Sequence, residues 1–159
     1  MSGLHYRLEV NGRAHDVHDA HVGESLLGVL RDRIGLYGTK GACEQGECGS
    51  CSVLVDGELV CACLVLAASV SACKITTIEG ISPDGALTDV QMAFIETGAV
   101  QCGFCTPGLI VTVQHLLETN RSPTELEMKE ALSGNICRCT GYGRIFAAVE
   151  SVVELRGAR

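Results

Sequence analysis

The chain has no tryptophan, and aromatic residues make up only 4% of its 159 positions. A sequence of this length fits one large domain or two small ones. With so few large side chains each core would be modest, and bound metal would supply much of the missing stability. Basic residues are also scarce: twelve Lys and Arg face nineteen Asp and Glu, for a net charge of −7. That balance excludes the broad basic face that nucleic acid or an anionic membrane surface requires. No apolar run reaches the roughly 20 residues that span a bilayer. The nearest candidate, residues 59–72, is shorter and carries cysteines. The opening MSGLHYRLEVNG lacks a basic segment followed by an apolar one, so no Sec export signal is expected. The expected location is the cytoplasm, where reducing conditions favour thiolate–metal bonds over disulfides. A G-x-G-x-x-G fingerprint and a Walker lysine-serine ending are both missing. His5, His15, His18, His21 and His115 show no ligand spacing and are expected to be surface or core residues.

Cysteine, by contrast, is abundant. Eight of the ten cysteines form two sets of four. The first comprises Cys43, Cys48 and Cys51 within GTKGACEQGECGSC, followed by a cysteine beyond the next strand-like run. C-x4-C-x2-C with a later cysteine is the plant-type [2Fe–2S] spacing. Three thiolates converging from one short loop need a tightly curled backbone, which Gly41, Gly46 and Gly49 permit. Backbone N–H groups brought close to sulfur in this way raise a cluster's reduction potential. The fourth ligand is Cys61 or Cys63; strand alternation puts both on one face and does not separate them. Cys73 reads as a core thiol. Structural zinc prefers two C-x2–4-C pairs, so the glycine-rich triple argues against it. The second set is Cys102 and Cys105 with Cys137 and Cys139, a C-x2-C and a distant C-x-C. Each pair precedes a helical pattern, so both are expected at helix starts, where the dipole favours thiolates. A thioredoxin-like dithiol would need a βαβ context, which is missing. Two clusters at about −2 each would take the loaded chain to roughly −11.

Around these cysteines the two halves differ. Residues 4–10 alternate as a strand, and Asn11-Gly12 signals a hairpin. Residues 26–34 form an amphipathic helix with Ser25 or its neighbour as cap. Asp56-Gly57 marks a second hairpin, and residues 74–78 a closing strand. Residues 80–87 are turn-rich and read as a linker. Helices are predicted over 88–97, 107–119, 124–132 and 143–156, the third opened by a Thr124/Glu127 capping box. The predicted fold class is α+β, with a sheet domain over 1–79, the linker, and a four-helix bundle over 88–159.

At its two motifs the sequence resembles the small iron–sulfur subunit of the molybdenum hydroxylases, the family of xanthine dehydrogenase, aldehyde oxidoreductase and carbon monoxide dehydrogenase. GTKGACEQGECGSCSVLVDGELVCACL is similar to that family's ferredoxin loop, and VQCGFCTPG with GNICRCTGY to its helical signature. The resemblance implies a β-grasp plant-type ferredoxin domain followed by a four-helix bundle, each holding one [2Fe–2S] cluster. It implies Cys63, directly before Leu64, as the fourth ligand of the first set, leaving Cys61 as an extra thiol. It implies Gln101 and Cys139 as pterin-contact residues. It also implies a large partner subunit with a molybdopterin-bound Mo cofactor and an FAD-binding subunit, in a heterotrimer open to dimerisation. Single electrons would pass from the Mo-pterin centre through the helical-domain cluster and the ferredoxin cluster to FAD or an external acceptor. The phrase GAVQCGFCTPGLI points to a purine such as xanthine as the substrate of the complex. Aldehydes, N-heterocycles or carbon monoxide are the alternatives, as is a free two-cluster carrier. Lys40 and Arg138 flank the motifs as candidates for tuning a potential or docking a partner.

Overall fold

Two hairpins and a closing strand build the sheet. In the computed structural model, which describes residues 3–82 and 84–158, β1 (Leu4–Val10) and β2 (Arg13–Ala20) pair antiparallel across Asn11-Gly12. Both turn residues have positive φ, 53° and 72°, the geometry whose twist suits a two-residue hairpin. β3 (Ser52–Val55) and β4 (Glu58–Cys61) repeat the device at Asp56-Gly57. β5 (Lys74–Thr76) runs parallel to β1 and antiparallel to β3, giving the order β2-β1-β5-β3-β4. Leu8, Val10, Val17, Val53 and Ile75 point inward from these strands. They meet Leu26, Leu27, Val29 and Leu30 of a short helix, α1 (Leu26–Gly28), that widens into a π turn over Val29–Arg33. Ser25 caps it by accepting from the Gly28 N–H.

The β1–β2 register slips between Leu4 and Tyr6, where Asp19 takes φ 51°. This bulge is braced by the Arg33 guanidinium, which donates to the carbonyls of His18 (2.9 Å) and Asp19 (3.4 Å) and is itself held by Glu24 at 2.6 Å. His5 and His18 meet on the surface, Nδ1 to Nδ1 at 3.0 Å, opposite one another in the register that pairs Tyr6 with Val17.

The second half is helical: α2 (Ile78–Ile81), α3 (Asp89–Glu96), α4 (Thr106–Thr119), α5 (Glu125–Leu132) and α6 (Gly143–Gly157). The predicted capping box at Thr124 and Glu127 is present, and Thr88 with Gln91 forms another at α3. Phe94, Leu109, Val113, Leu117, Leu132, Ile145 and Val149 share one buried core. An ion pair from Arg156 to Asp89, 2.7 and 2.9 Å, ties the end of α6 to the start of α3. Two predicted boundaries differ. β5 stops at Thr76 because the Asn11 side chain takes over the Thr77 N–H (2.9 Å) and donates to its hydroxyl (2.9 Å), and the chain turns into α2 where the sequence reads strand end and linker. The residue that caps α6 is Tyr142, in the left-handed region at φ 66°, so Cys137 and Cys139 lie in the preceding loop and not at a helix start. Among the described residues no helix is long and apolar enough to cross a membrane.

Candidate metal centres

The first cysteine loop folds around one sulfur. The Gln45 N–H donates to Cys43 Sγ at 3.4 Å. Together with the Cys48 thiol and the N–H groups of Cys48 and Glu47, it pulls the Cys43 thiol down to about 6. The curl depends on Gly46, at φ 75°, where a Cβ would run into the Leu64 side chain. Cys51, 3% exposed, lies beneath; burial pushes its thiol up to about 12 although the Cys63 N–H points at it, and the Cys63 thiol is its hydrogen-bond neighbour. Cys61 also faces this loop. Its S–H donates to the Gly46 carbonyl at 3.7 Å, and burial raises its thiol.

The second set arrives from two segments. Cys105 is the N-cap residue of α4, and burial pushes its thiol up to about 12, with the Cys137 thiol beside it. Burial also acts to raise Cys137, but the Thr140 hydroxyl at 3.0 Å and N–H at 3.5 Å, with further contacts from Cys139 and Cys105, outweigh it and leave that thiol lowered. The Tyr142 hydroxyl accepts from the Cys137 N–H (2.8 Å) and donates to the Asn135 carbonyl (2.9 Å), clamping this loop. Cys139 pairs with Cys102, whose thiol raises it, and both are exposed. Beside them Gln101 is exposed, its side chain making no hydrogen bond with the described residues, next to half-exposed Val100 and Phe104. Sequence reasoning singles out neither Thr140 nor Tyr142, because their roles depend on how the loop closes.

A polar seam joins the two sets. The Ile136 N–H donates to the Cys48 carbonyl at 2.9 Å, one residue before Cys137. Asn135, buried, donates to the Gly49 carbonyl (3.0 Å) and accepts from the Thr112 hydroxyl (3.0 Å). Gly49 takes φ 66°, and a Cβ on it would strike the Gly134 carbonyl and the Asn135 amide. Cys48 and Cys137 therefore stand on either side of one main-chain hydrogen bond.

The donors suit a two-iron cluster in each set. Among the described residues no three His, Cys, Asp or Glu side chains converge as they would around one ion. The thiols instead neighbour one another in pairs, Cys43 with Cys48, Cys51 with Cys63, Cys105 with Cys137 and Cys102 with Cys139, and Cys61 also reaches Cys51. A [2Fe–2S] cluster takes two thiolates on each iron, and soft thiolate is its ligand. The thiols of Cys51 and Cys105, held neutral by burial, would ionise against the positive charge of ferric iron.

Known proteins resemble this chain. A family model described as a [2Fe-2S] binding domain matches residues 77–150, which include all four cysteines of the second set. The nicotinate dehydrogenase small FeS subunit of Eubacterium barkeri is 44% identical over 154 residues, 97% of this chain and 98% of that protein. The nicotine 6-hydroxylase small subunit of Paenarthrobacter nicotinovorans is 50% identical over 151 residues, 94% of this chain and 88% of that protein. The solved structure of quinoline 2-oxidoreductase from Pseudomonas putida 86 superposes with a TM-score of 0.89 at 39% identity, covering 99% of this chain and 98% of that one. The chain belongs to the small iron–sulfur subunits of the molybdenum hydroxylases. As such a subunit it is part of an oxidoreductase complex. In this iron–sulfur subunit the mixed α+β architecture, a five-stranded sheet with helices, is that of the solved relatives.

Proposed function

We propose that this subunit carries single electrons between two partner subunits, with one [2Fe–2S] cluster in each cysteine set. Cys43, Cys48, Cys51 and Cys63 would hold the first, and Cys102, Cys105, Cys137 and Cys139 the second. Each cluster, when bound, accepts and releases one electron. The residues of the chain do the rest. The N–H groups of Gln45 and Glu47 hold negative charge at Cys43, Thr140 does the same at Cys137, and the Asn135–Ile136 seam fixes the distance between the sets. The two separate cores support a β-grasp ferredoxin domain over 1–79 and a four-helix bundle over 88–159, joined through 80–87. The observation that carries the reading is the pairwise thiol arrangement in both sets, linked by the bond from Ile136 to Cys48.

The exposed end of the second set, with Cys102, Cys139 and unpartnered Gln101, is the face we assign to a large molybdopterin-binding subunit. The first set would deliver electrons to an FAD-binding subunit or an external acceptor in a cytoplasmic heterotrimer. Relatives named for nicotinate, nicotine and quinoline share a nitrogen heteroaromatic ring, so the complex is proposed to oxidise that class, of which the purine expected from the sequence is one instance. The test is low-temperature EPR on the natively purified, dithionite-reduced complex, with iron and sulfide quantified. Two distinct [2Fe–2S] signals and about four irons per chain are expected. One signal, or zinc in place of iron, would sink the relay.

A further inference from the structure

The hairpin of β1 and β2 carries two imidazoles that neither cysteine set uses. The register that pairs Tyr6 with Val17 sets His5 against His18, and the shift before Leu4 and Ala20 inserts Asp19, at φ 51°, as an extra residue beside them. The two Nδ1 atoms stand 3.0 Å apart, and the ring planes meet at 59°, so the rings are tilted toward each other and not stacked. Asp19 Oδ1 lies 3.7 Å from the far nitrogen of His5, Nε2. A carboxylate there favours the tautomer with its proton on Nε2 and leaves the Nδ1 lone pair facing His18. His18 is exposed, so its own proton can sit on Nε2 toward water, which frees a second lone pair at the same place. Metal–imidazole bonds of about 2.0 Å set two cis nitrogens about 2.8–3.3 Å apart, a range that includes the observed separation. The geometry points to a surface site for one divalent late first-row transition metal, copper(II) above all, held by His5 Nδ1 and His18 Nδ1 with Asp19 orienting the first ring. Imidazole is a ligand these ions share, and copper heads their order of affinity. Two protein ligands leave the other positions to water, as in an exchangeable site and unlike a structural one. Arg33 holds the carbonyls of His18 (2.9 Å) and Asp19 (3.4 Å), so the backbone under the site is set before a metal arrives. Asp16, two residues from His18, is engaged by Arg7 at 2.7 and 3.1 Å and takes no part. When no metal is bound, one Nδ1–H donates to the other Nδ1; binding moves that proton to His18 Nε2 through water and releases none. β2 is one edge of the sheet and β4, which ends at Cys61, is the other, so the site shares no ligand with the cysteine sets.

The experiment is a titration of the natively purified, oxidised complex with copper(II), in which oxidised [2Fe–2S] clusters give no EPR signal of their own. Continuous-wave and pulsed EPR count the imidazole nitrogens on the first equivalent of copper, and glycine as competing chelator gives the affinity. His5→Gln, His18→Gln and Asp19→Asn are measured alongside, with iron and sulfide at wild-type content as the check that each is folded. Wild type should bind one copper per chain with two imidazoles. Each histidine variant should show at most one imidazole and bind at least about tenfold less tightly. Asp19→Asn should keep both imidazoles and bind several-fold less tightly, and an affinity equal to wild type would overturn the orienting role given to Asp19. One imidazole or none in wild type, or wild-type affinity in either histidine variant, would overturn the site. Iron lost from wild type as the first equivalent binds would put the copper on the cysteine sets and overturn it equally.

Discussion

Replacing Asn135 with alanine tests whether the seam between the two cysteine sets holds the molecule together. Asn135 is 4% exposed. Its amide donates to the Gly49 carbonyl at 3.0 Å and, less well, to the Ser52 hydroxyl at 3.4 Å, and accepts from the Thr112 hydroxyl at 3.0 Å. The substitution strands none of these partners. The Gly49 carbonyl keeps the Ser52 N–H (3.1 Å) and hydroxyl (2.7 Å), and the Thr112 hydroxyl keeps the Gly108 carbonyl (2.9 Å). Because the single proton of the Thr112 hydroxyl is shared between Asn135 and the Gly108 carbonyl, the loss is the net value of about one good hydrogen bond, about 1 kcal/mol. The space vacated by the amide adds about 1 kcal/mol if its walls stay put. At about 2–4 °C per kcal/mol for a chain of this size, the melting temperature should fall by about 4–8 °C. The assay is thermal unfolding of the cluster-loaded complex, followed by the visible absorbance of the clusters and by far-ultraviolet circular dichroism. A melting temperature within about 1 °C of wild type would refute the reasoning, because the bond to the Gly49 carbonyl alone is expected to move it further.

Cys137→Ser should abolish the EPR signal of the helical-domain cluster and stop turnover while the ferredoxin-side signal persists; turnover with that cluster demonstrably absent would break the proposed route. Arg156→Met removes the bidentate pair with Asp89, whose side chains are 25% and 23% exposed, and should cost about 1 kcal/mol, read as a small drop in melting temperature. The Glu127 carboxyl is held below the usual carboxylate range by the N–H and then the hydroxyl of Thr124. A lowered folded-state value means stability present above the unfolded value of about 4.3 and lost as pH falls through the folded one. The gap in melting temperature between wild type and Glu127→Gln should therefore narrow as pH drops through the carboxylate range, and a constant gap would count against that contribution.

Features that rest on local chemistry could be read directly from the residues. Asn11-Gly12 and Asp56-Gly57 are hairpins because few other pairs accept two positive φ angles. Thr124 and Glu127 cap a helix because their spacing closes a reciprocal pair of hydrogen bonds. The division of eight cysteines into two sets follows from spacing as well, and the structure brings their members together in pairs. Features that depend on distant residues could not be read. The slip of register between Leu4 and Tyr6 is braced by Arg33, which reaches the carbonyls of His18 and Asp19 from outside the hairpin. β5 ends early because Asn11, 66 residues away, satisfies Thr77. Periodicity puts Cys61 and Cys63 on one face, and only the folded loop shows both thiols beside Cys51, with Cys61 turned to the Gly46 carbonyl as well. Asn135 reads as an ordinary polar loop residue until Gly49 is placed beside it.

The bond from the Ile136 N–H to the Cys48 carbonyl contains no side-chain atom. Its geometry is therefore indifferent to what residue 136 is, with one exception. Proline alone among the twenty amino acids lacks the donor. Natural drift at this position, where Ile136 is 54% exposed, can remodel the outer surface without lengthening the gap between the two sulfur sets. A single Ile136→Pro exchange would cut the connection while leaving all ten thiols in the chain. This part of the connection is thus held in the backbone, out of reach of almost every substitution at position 136, while the side chain above it is free to follow a changing partner.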